Sequence, residues 1–406
     1  MPGHIAIVTP ICPYPPNSGT RLRIHFLMKH LVENGFDVSL IICAPNALPQ
    51  TTADQLRGMC DNLLIVPPED VNMTTSRPRQ FVRRAIGSPV PDRPAMRQAI
   101  HKAFVELAPD FVQAEKTFTC AQLNIMELQR AGIAVVLEEG GVHHLAYERE
   151  ARTARGFTRW KLARRARRLH DFEAKLLGQV DAVTAVSAVE ARILKEMNGN
   201  VTVIPAPNGV DDDIFLADPP DLSSRERSIF FCGSLSYKPN ADAVRFWAQD
   251  IAPCLQADLP GTELLVAGGD APQDIRDMAN DTGPVRLLGH VADISSCFRQ
   301  YRAMLNCMRL GGGTNLKLLE AMAHGMACVS TTLGAEGIDV ENGTHISIAD
   351  SPDDLARAIV RLLRDDDHAE SLASNARQLA KNRYRWSDCV AELVNYYSSR
   401  AAPDTG

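Results

Sequence analysis

The sequence predicts an α/β protein of two doubly wound, parallel-sheet domains. Three observations carry that prediction. The apolar run Ile5–Thr9, a Pro/Asn/Ser/Gly-rich loop, a helical stretch Arg21–Asn34 and the run Val38–Cys43 form a strand–helix–strand unit, which needs parallel neighbours. A second unit of that kind follows residue 300: Ala303–Met308 as strand, a glycine loop, a helix with Leu316, Leu319, Met322 and Ala323 on one face, and Ala327–Ser330 as strand. The length of 406 residues exceeds one ordinary domain.

Composition narrows the class. Hydrophobic residues at 45% and charged residues at 23% are those of a water-soluble globular chain. A net charge of −6 gives no global attraction to nucleic acid or anionic lipid, so such contact needs a local patch. No apolar run approaches the roughly 18 residues of a membrane helix. A strand begins almost at the N-terminus, which predicts no signal peptide. Ten cysteines without metal-ligand spacing, several inside strand-like runs, fit free thiols in a reducing cytosol.

In order along the chain, the loop Pro10–Thr20 leaves the first strand at the carboxyl edge of the sheet, where such folds bind ligands. Gly19 is its point of closest approach to a phosphate or sugar. Gly35 stops the first helix. Ile65–Pro67 reads as a short strand, and residues 72–97 as loops and short helices. Phe111–Ala114 and Ala134–Leu137 are further strands. The second runs into Glu138-Glu-Gly-Gly-Val-His-His144, again at a carboxyl end. Glu138, His143 and His144 are candidates there for acceptor chemistry.

Residues 148–177 read as one long helix. Its segment 152–168 is strongly basic and carries Phe157 and Trp160, a pattern suited to an anionic membrane surface or a phosphorylated lipid. No nucleic-acid recognition motif accompanies it. Val180–Val186, the helix Ala188–Met197 and the strand Val201–Pro205 follow. Pro207–Asp211 is a turn, and a domain linker is expected over 207–227.

The second half repeats the plan. Ser228–Cys232 leads into Gly233 and a loop holding Lys238, then a helix from Ala241 to Ala257. Glu263–Ala267 ends in Gly268-Gly269, and Val285–Leu288 ends in Gly289-His290-Val291. Each strand end carries glycine, as an edge built for a ligand lying against backbone would. The loop Gly311-Gly312-Gly313-Thr314 leaves N–H groups open at a helix N-terminus, where an anion binds well. Glu320, two turns on, can accept hydrogen bonds from two neighbouring hydroxyls, as on a ribose. Helices are expected over Pro352–Arg364, His368–Lys381 and Tyr384–Tyr396. The runs Asp211–Asp213 and Asp365–Asp367 read as solvated surface and a helix end, and no metal site is predicted.

These residues resemble the retaining, nucleotide-sugar-dependent glycosyltransferases of the GT-B fold, most closely glycosyltransferase family four (glycosyl transferases group 1). The resemblance rests on Tyr14-Pro-Pro-Asn-Ser-Gly19, on Ala185-Val-Ser187 with Pro207-Asn-Gly-Val-Asp211, on Phe231–Asp242, and on Gly311–Ser330. The third of these is similar to a branch found near exopolysaccharide genes. The resemblance implies two Rossmann-like domains facing across a cleft: 1–206 for the acceptor, 207–383 for the sugar nucleotide, and 384–406 as a helix crossing back. It implies Glu320 on the ribose, the backbone of Gly312, Gly313 and Thr314 on diphosphate or sugar, and Lys317 and Lys238 as compensating cations. It implies no metal and no cofactor besides the nucleotide diphosphate sugar as donor substrate. The acceptor would be a glycan, a lipid-linked group or a small molecule.

The chain departs from that pattern at three places. Gly312 stands where the family's first Glu of Glu-x7-Glu falls. Ser234 and Pro239 stand at its phosphate-binding Arg and Lys. Gly140 stands at an acceptor-side histidine. The implied reaction is retaining, metal-independent glycosyl transfer in cell-surface polysaccharide or glycolipid synthesis, in the cytoplasm or at the inner face of the plasma membrane. A UDP-sugar 2-epimerase and a non-catalytic partner subunit of the same fold remain alternatives.

Overall fold

The computed structural model describes residues 3–44, 48–66, 89–280 and 283–401. It divides into two compact units, Met1–Pro207 with Val390–Gly406, and Asn208–Cys389.

The first unit holds seven strands: β1 His4–Thr9, β2 Asp37–Cys43, β3 Asn62–Val66, β4 Phe111–Glu115, β5 Ala134–Glu138, β6 Ala182–Ala185 and β7 Thr202–Pro205. They pair in parallel in the order β3-β2-β1-β4-β5-β6-β7. The chain winds outward both ways from β1 and β4, so the loops after those two strands flank the topological switch point. Buried Ile5, Ile7, Val112, Val135 and Val183 show why the strands read as unbroken apolar runs: helices cover both faces. The helices are α1 Gly19–Glu33, α2 Gln50–Arg57, α3 Pro94–Leu107, α4 Thr117–Cys120, α5 Ile125–Arg130, α6 His143–Thr153, α7 Gly156–Leu177 and α8 Ala188–Met197.

The second unit holds six parallel strands: β8 Glu226–Cys232, β9 Leu264–Ala267, β10 Val285–Gly289, β11 Tyr301–Asn306, β12 Ala327–Ser330 and β13 Ser347–Ile348. Their order is β10-β9-β8-β11-β12-β13, so its switch point lies between β8 and β11. Its helices are α9 Lys238–Phe246, α10 Ala252–Leu255, α11 Gln273–Met278, α12 Ile294–Gln300, α13 Leu316–Ala323, α14 Pro352–Arg364, α15 Asp366–Arg383 and α16 Trp386–Cys389; α17 Ala391–Ala401 belongs to the first unit.

Four expectations change. Within 72–97, residues 72–88 lie outside the described residues, but a regular helix, α3, starts at Pro94. Proline fits the first helical turn because its missing N–H has no partner there anyway, and Met96, Ile100, Ala103 and Phe104 form the buried stripe. The long basic helix is two helices, broken at Ala154-Arg155 with Gly156 at φ +56°. The helix expected from Ala241 begins at Lys238, and passes through a π-turn at Trp247–Ile251 just before Pro253, which has no N–H to give. The final helix starts later and is also two, α16 and α17 with Val390 between them; just ahead of α16, Arg385 bridges to Val210: Val210 N donates to Tyr384 O at 2.7 Å and Trp386 N to Val210 O at 3.1 Å. Gly209 makes that bridge possible, since a Cβ there would stand 2.9 Å from the Trp386 backbone.

The acidic runs serve as expected at chain surfaces and helix ends. Asp365 caps α15, and Asp366 pairs with Arg227 and with the fully buried Arg302 at 2.6 Å.

Candidate functional site

In the second unit, the carboxyl edge is built from backbone. Gly233 N donates to Ala267 O at 2.9 Å, Gly268 N to Gly289 O at 2.8 Å, and Leu235 N to Gly269 O at 3.0 Å. These bonds sew together the loops after β8, β9 and β10. Gly268 lies so close that a Cβ would be 2.1 Å from Gly233 O. Gly233 has φ +145°, and a Cβ there would be 2.5 Å from Asn240 Nδ2. His290 and Val291 leave β10 on the same edge, with His290 exposed.

Across the switch point stands the 311–314 loop. Gly311 and Gly313 take φ of +105° and +76°, and exposed Gly312 lies between them. The loop is fastened at both ends. At its entry, Arg309 donates twice to Asp242, at 3.1 and 3.0 Å, and lies over the Phe246 ring. At its exit, Asn315 Nδ2 donates to Gly334 O at 2.9 Å, and so does Asn306 Nδ2 from beneath. The first turn of α13 then presents N–H groups without intrahelical partners.

Lys317 and Glu320 follow one helical turn apart. The Lys317 ammonium donates to Asn240 Oδ1 at 2.6 Å and lies 4.2 Å from the centre of the Phe231 ring. Asn240 Nδ2 in turn donates to Ser234 O at 2.9 Å. Burial lowers the Lys317 pKa to about 8. Glu320 has no hydrogen-bond or ion-pair partner for its carboxylate among the described residues, and burial pushes its pKa up to about 7. The edge therefore holds a cation and a carboxyl without a protein partner among the described residues, beside open backbone. Exposed Lys238 opens α9 at the same loop.

In the first unit, the corresponding edge is a buried charged network. Arg23, from α1, donates to both oxygens of Glu138 at 2.6 and 3.0 Å, and Thr184 Oγ1 donates to Glu138 at 2.6 Å. Glu138 is 1% exposed. Its carboxylate is thus committed to holding Arg23, which corrects the expectation of a carboxylate open to a substrate. His144 is also interior: Nδ1 lies 2.7 Å from Glu173 Oε2, and the two side chains are about 5% exposed. His143 is the histidine that meets solvent. Its Nε2 lies 2.9 Å from Glu139 Oε1, and Glu139 Oε2 accepts from the N–H and hydroxyl of Thr117 at 2.9 and 2.6 Å. Burial disfavours the His143 imidazolium, but the Glu139 charge outweighs it and raises the pKa. Burial, then the charge of Glu138, holds the Glu115 carboxyl well above the ordinary range. Gly19 opens α1 in this unit, on a different sheet from the other candidate donor residues.

The basic segment 152–168 spans the end of α6 and most of α7. Phe157 and Trp160 are 75% and 56% exposed and stack on each other at 5.5 Å, with Arg164 over the Trp160 ring. No helix among the described residues is long and apolar enough to cross a membrane.

Sequence reasoning did not single out Asn240, Asn306 and Asn315, which hold the glycine loops, or Glu139, Lys116 and Arg23 on the other edge. The repeated carboxyl-end position of Glu115-Lys116 was the available signal for Lys116.

Two family models match the chain. "Glycosyltransferase Family 4" covers residues 18–214 and "Glycosyl transferases group 1" covers residues 226–365. An uncharacterized 44.6 kDa protein in the cps region of Klebsiella pneumoniae is 21% identical over 94% of this chain and 96% of its own. Sucrose-phosphate synthase from Thermosynechococcus elongatus superposes with a TM-score of 0.73 at 15% identity, over 98% of each chain. Anabaena HepE, solved with UDP and glucose, superposes with a TM-score of 0.68 at 14% identity, over 98% of this chain and all of that one. With parallel sheets of seven and six strands and both models matched in order, the chain belongs to the family 4 (group 1) glycosyltransferases of the GT-B fold.

Proposed function

We propose that this protein moves a sugar from a nucleotide diphosphate sugar to an acceptor hydroxyl, with retention at the anomeric carbon and without a metal ion. The observation that carries this reading is the Glu320 carboxyl: raised by burial, without a side-chain partner, and one turn from a cation and an open glycine loop. A ribose supplies the two O–H donors it lacks. Gly233, Gly268, His290, Val291 and the 311–314 loop line the diphosphate and sugar, with Lys317 and Lys238 as counter-charges. HepE, solved with UDP and glucose, supports a donor of this class.

On the acceptor side we assign His143, oriented by Glu139, as the group nearest the reaction. Glu138 and His144 hold the edge in shape. The leaving phosphate takes the acceptor's proton, so His143 positions the hydroxyl rather than serving as an obligatory base. The cps-region relative supports a role in cell-surface polysaccharide or glycolipid synthesis. Segment 152–168, with Trp160 and Phe157 exposed among arginines, fits peripheral contact with an anionic membrane at its cytoplasmic face.

A thermal-shift screen over UDP, GDP, ADP, CMP and dTDP sugars tests the donor reading. A ligand at 100 times its Kd adds about 2.7 kcal/mol of stability. One nucleotide class should raise Tm, and Glu320→Gln should weaken that ligand in calorimetry. Unchanged affinity in Glu320→Gln would remove the ribose assignment.

A further inference from the structure

Lys116 is the first residue after β4, at the switch point of the first sheet. Its backbone is at φ +73°, ψ 143°, a region that glycine favours and that costs other residues about 1–3 kcal/mol. Such strain persists where the surroundings enforce it. Here Lys116 N donates to Glu138 O at 2.8 Å, and Lys116 O receives the N–H groups of Thr119 and Cys120 at 3.0 and 3.1 Å.

The conformation sends the side chain across the edge, where Nζ donates to Glu139 O at 2.7 Å. That acceptor is a neutral carbonyl. No carboxylate pairs with the ammonium among the described residues. The neighbouring carboxyls are already used: Glu138 by Arg23 and Thr184, Glu139 by Thr117 and His143, and Glu115, which burial holds above the ordinary range, by Gln113. A half-buried ammonium in this setting keeps two N–H donors and makes no direct ion pair. The space it occupies exists because residue 140 is glycine. A Cβ at Gly140 would stand 2.9 Å from Lys116 Nζ, so any side chain there would push the ammonium aside.

We infer that Lys116 forms an acceptor-side subsite for a phosphate group, its ammonium standing where a residue-140 side chain would otherwise stand. This inference rests on the reading that the first unit binds the acceptor. Phosphate fits because a dianion meets Lys116 and, on protonation, His143, which stands against the same residue, Glu139. Phosphate on a soluble acceptor and on a lipid share this chemistry.

The test follows the His143 ring signals by ¹H–¹³C NMR in the full-length protein during titration with inorganic phosphate, with chloride at matched ionic strength as control. Saturable shifts are expected in wild type. Lys116→Gln keeps a donor for the Glu139 carbonyl but removes the charge, and should weaken phosphate at least tenfold while leaving Tm within a few degrees. Lys116→Arg should restore binding, and Lys317→Met should leave these shifts intact, which separates them from phosphate bound at the other edge. Competition by glycerol 3-phosphate or by dihexanoyl phosphatidic acid identifies a soluble or a lipid source. Signals unmoved by phosphate, or moved equally in Lys116→Gln, overturn the inference. Sugar-nucleotide calorimetry is run in parallel: donor binding without a phosphate response removes the subsite alone, and a phosphate response without donor binding removes the transferase reading alone.

Discussion

Lys317 Nζ lies 2.6 Å from Asn240 Oδ1, and through that bond the helix after the glycine loop is tied to the first turn of α9. Asn240 fixes both partners, because its amide nitrogen also holds the Ser234 carbonyl. A hydrogen bond to a charged group contributes about 1.5–3 kcal/mol. Asn240→Ala should therefore weaken sugar-nucleotide binding roughly tenfold in calorimetry, and Lys317→Met by more. Equal affinity in Asn240→Ala and wild type would show that the tie does not set the cation.

Donor binding should depend on pH in opposite senses at its two ends. Glu320 has its pKa near 7 in the free protein, and ribose hydroxyls stabilise the anion, so affinity falls as pH drops below about 7. Lys317 has its pKa near 8, and a diphosphate stabilises the cation, so affinity falls as pH rises above about 8. Affinity should peak between those values. The same shifts cost stability without ligand. A raised carboxyl pKa penalises folding above the ordinary range, fully so above pH 7, so Glu320→Gln should raise Tm at pH 8 and have little effect at pH 4.

Gly268→Ala should lower stability by roughly 3 kcal/mol or more, because its Cβ would meet Gly233 O at 2.1 Å and Gly233 C at 2.9 Å, backbone atoms that cannot swing aside. Gly269→Ala is the matched control, since a Cβ there meets nothing within 4 Å. Chemical denaturation of both variants checks the contrast.

Breaking the Arg23–Glu138 pair strands a charge at a buried position. Arg23→Met should cost roughly 3–5 kcal/mol, and Arg23→Met with Glu138→Leu should recover part of that. A double variant no more stable than the single one would mean that the pair is not what Glu138 supports.

Trp160→Ala should leave Tm unchanged, because the ring is 56% exposed, while weakening binding to vesicles containing phosphatidylglycerol roughly tenfold. Sedimentation with vesicles measures it. Wild type that ignores such vesicles would remove the membrane proposal.

Much of the fold was legible because its signals are local. Apolar runs such as Ile5–Thr9 and Phe230–Cys232 are buried strands, and the glycines at 233, 268 and 311 mark backbone that approaches too closely or turns too sharply for a side chain. What escaped was set by distant partners. Asn240 meets Lys317 77 residues away, and Arg23 meets Glu138 115 residues away. The break at Gly156 escaped because basic and apolar residues continue across it without a change of period. Glu138 and His144 carry the right chemistry for a site, but only their burial shows that Arg23 and Glu173 have claimed them.

The two sides of the second switch point differ in their tolerance of change. The loops after β8, β9 and β10 hold one another backbone to backbone, so a side chain at Gly233 or Gly268 strains its neighbours. The 311–314 loop is gripped at its ends by Arg309 and Asn315, and exposed Gly312 lies free of either grip. Evolutionary drift, or a protein engineer, can therefore rewrite position 312 while the frame around it stays fixed, and on the proposed donor reading this residue is the natural starting point for changing sugar preference.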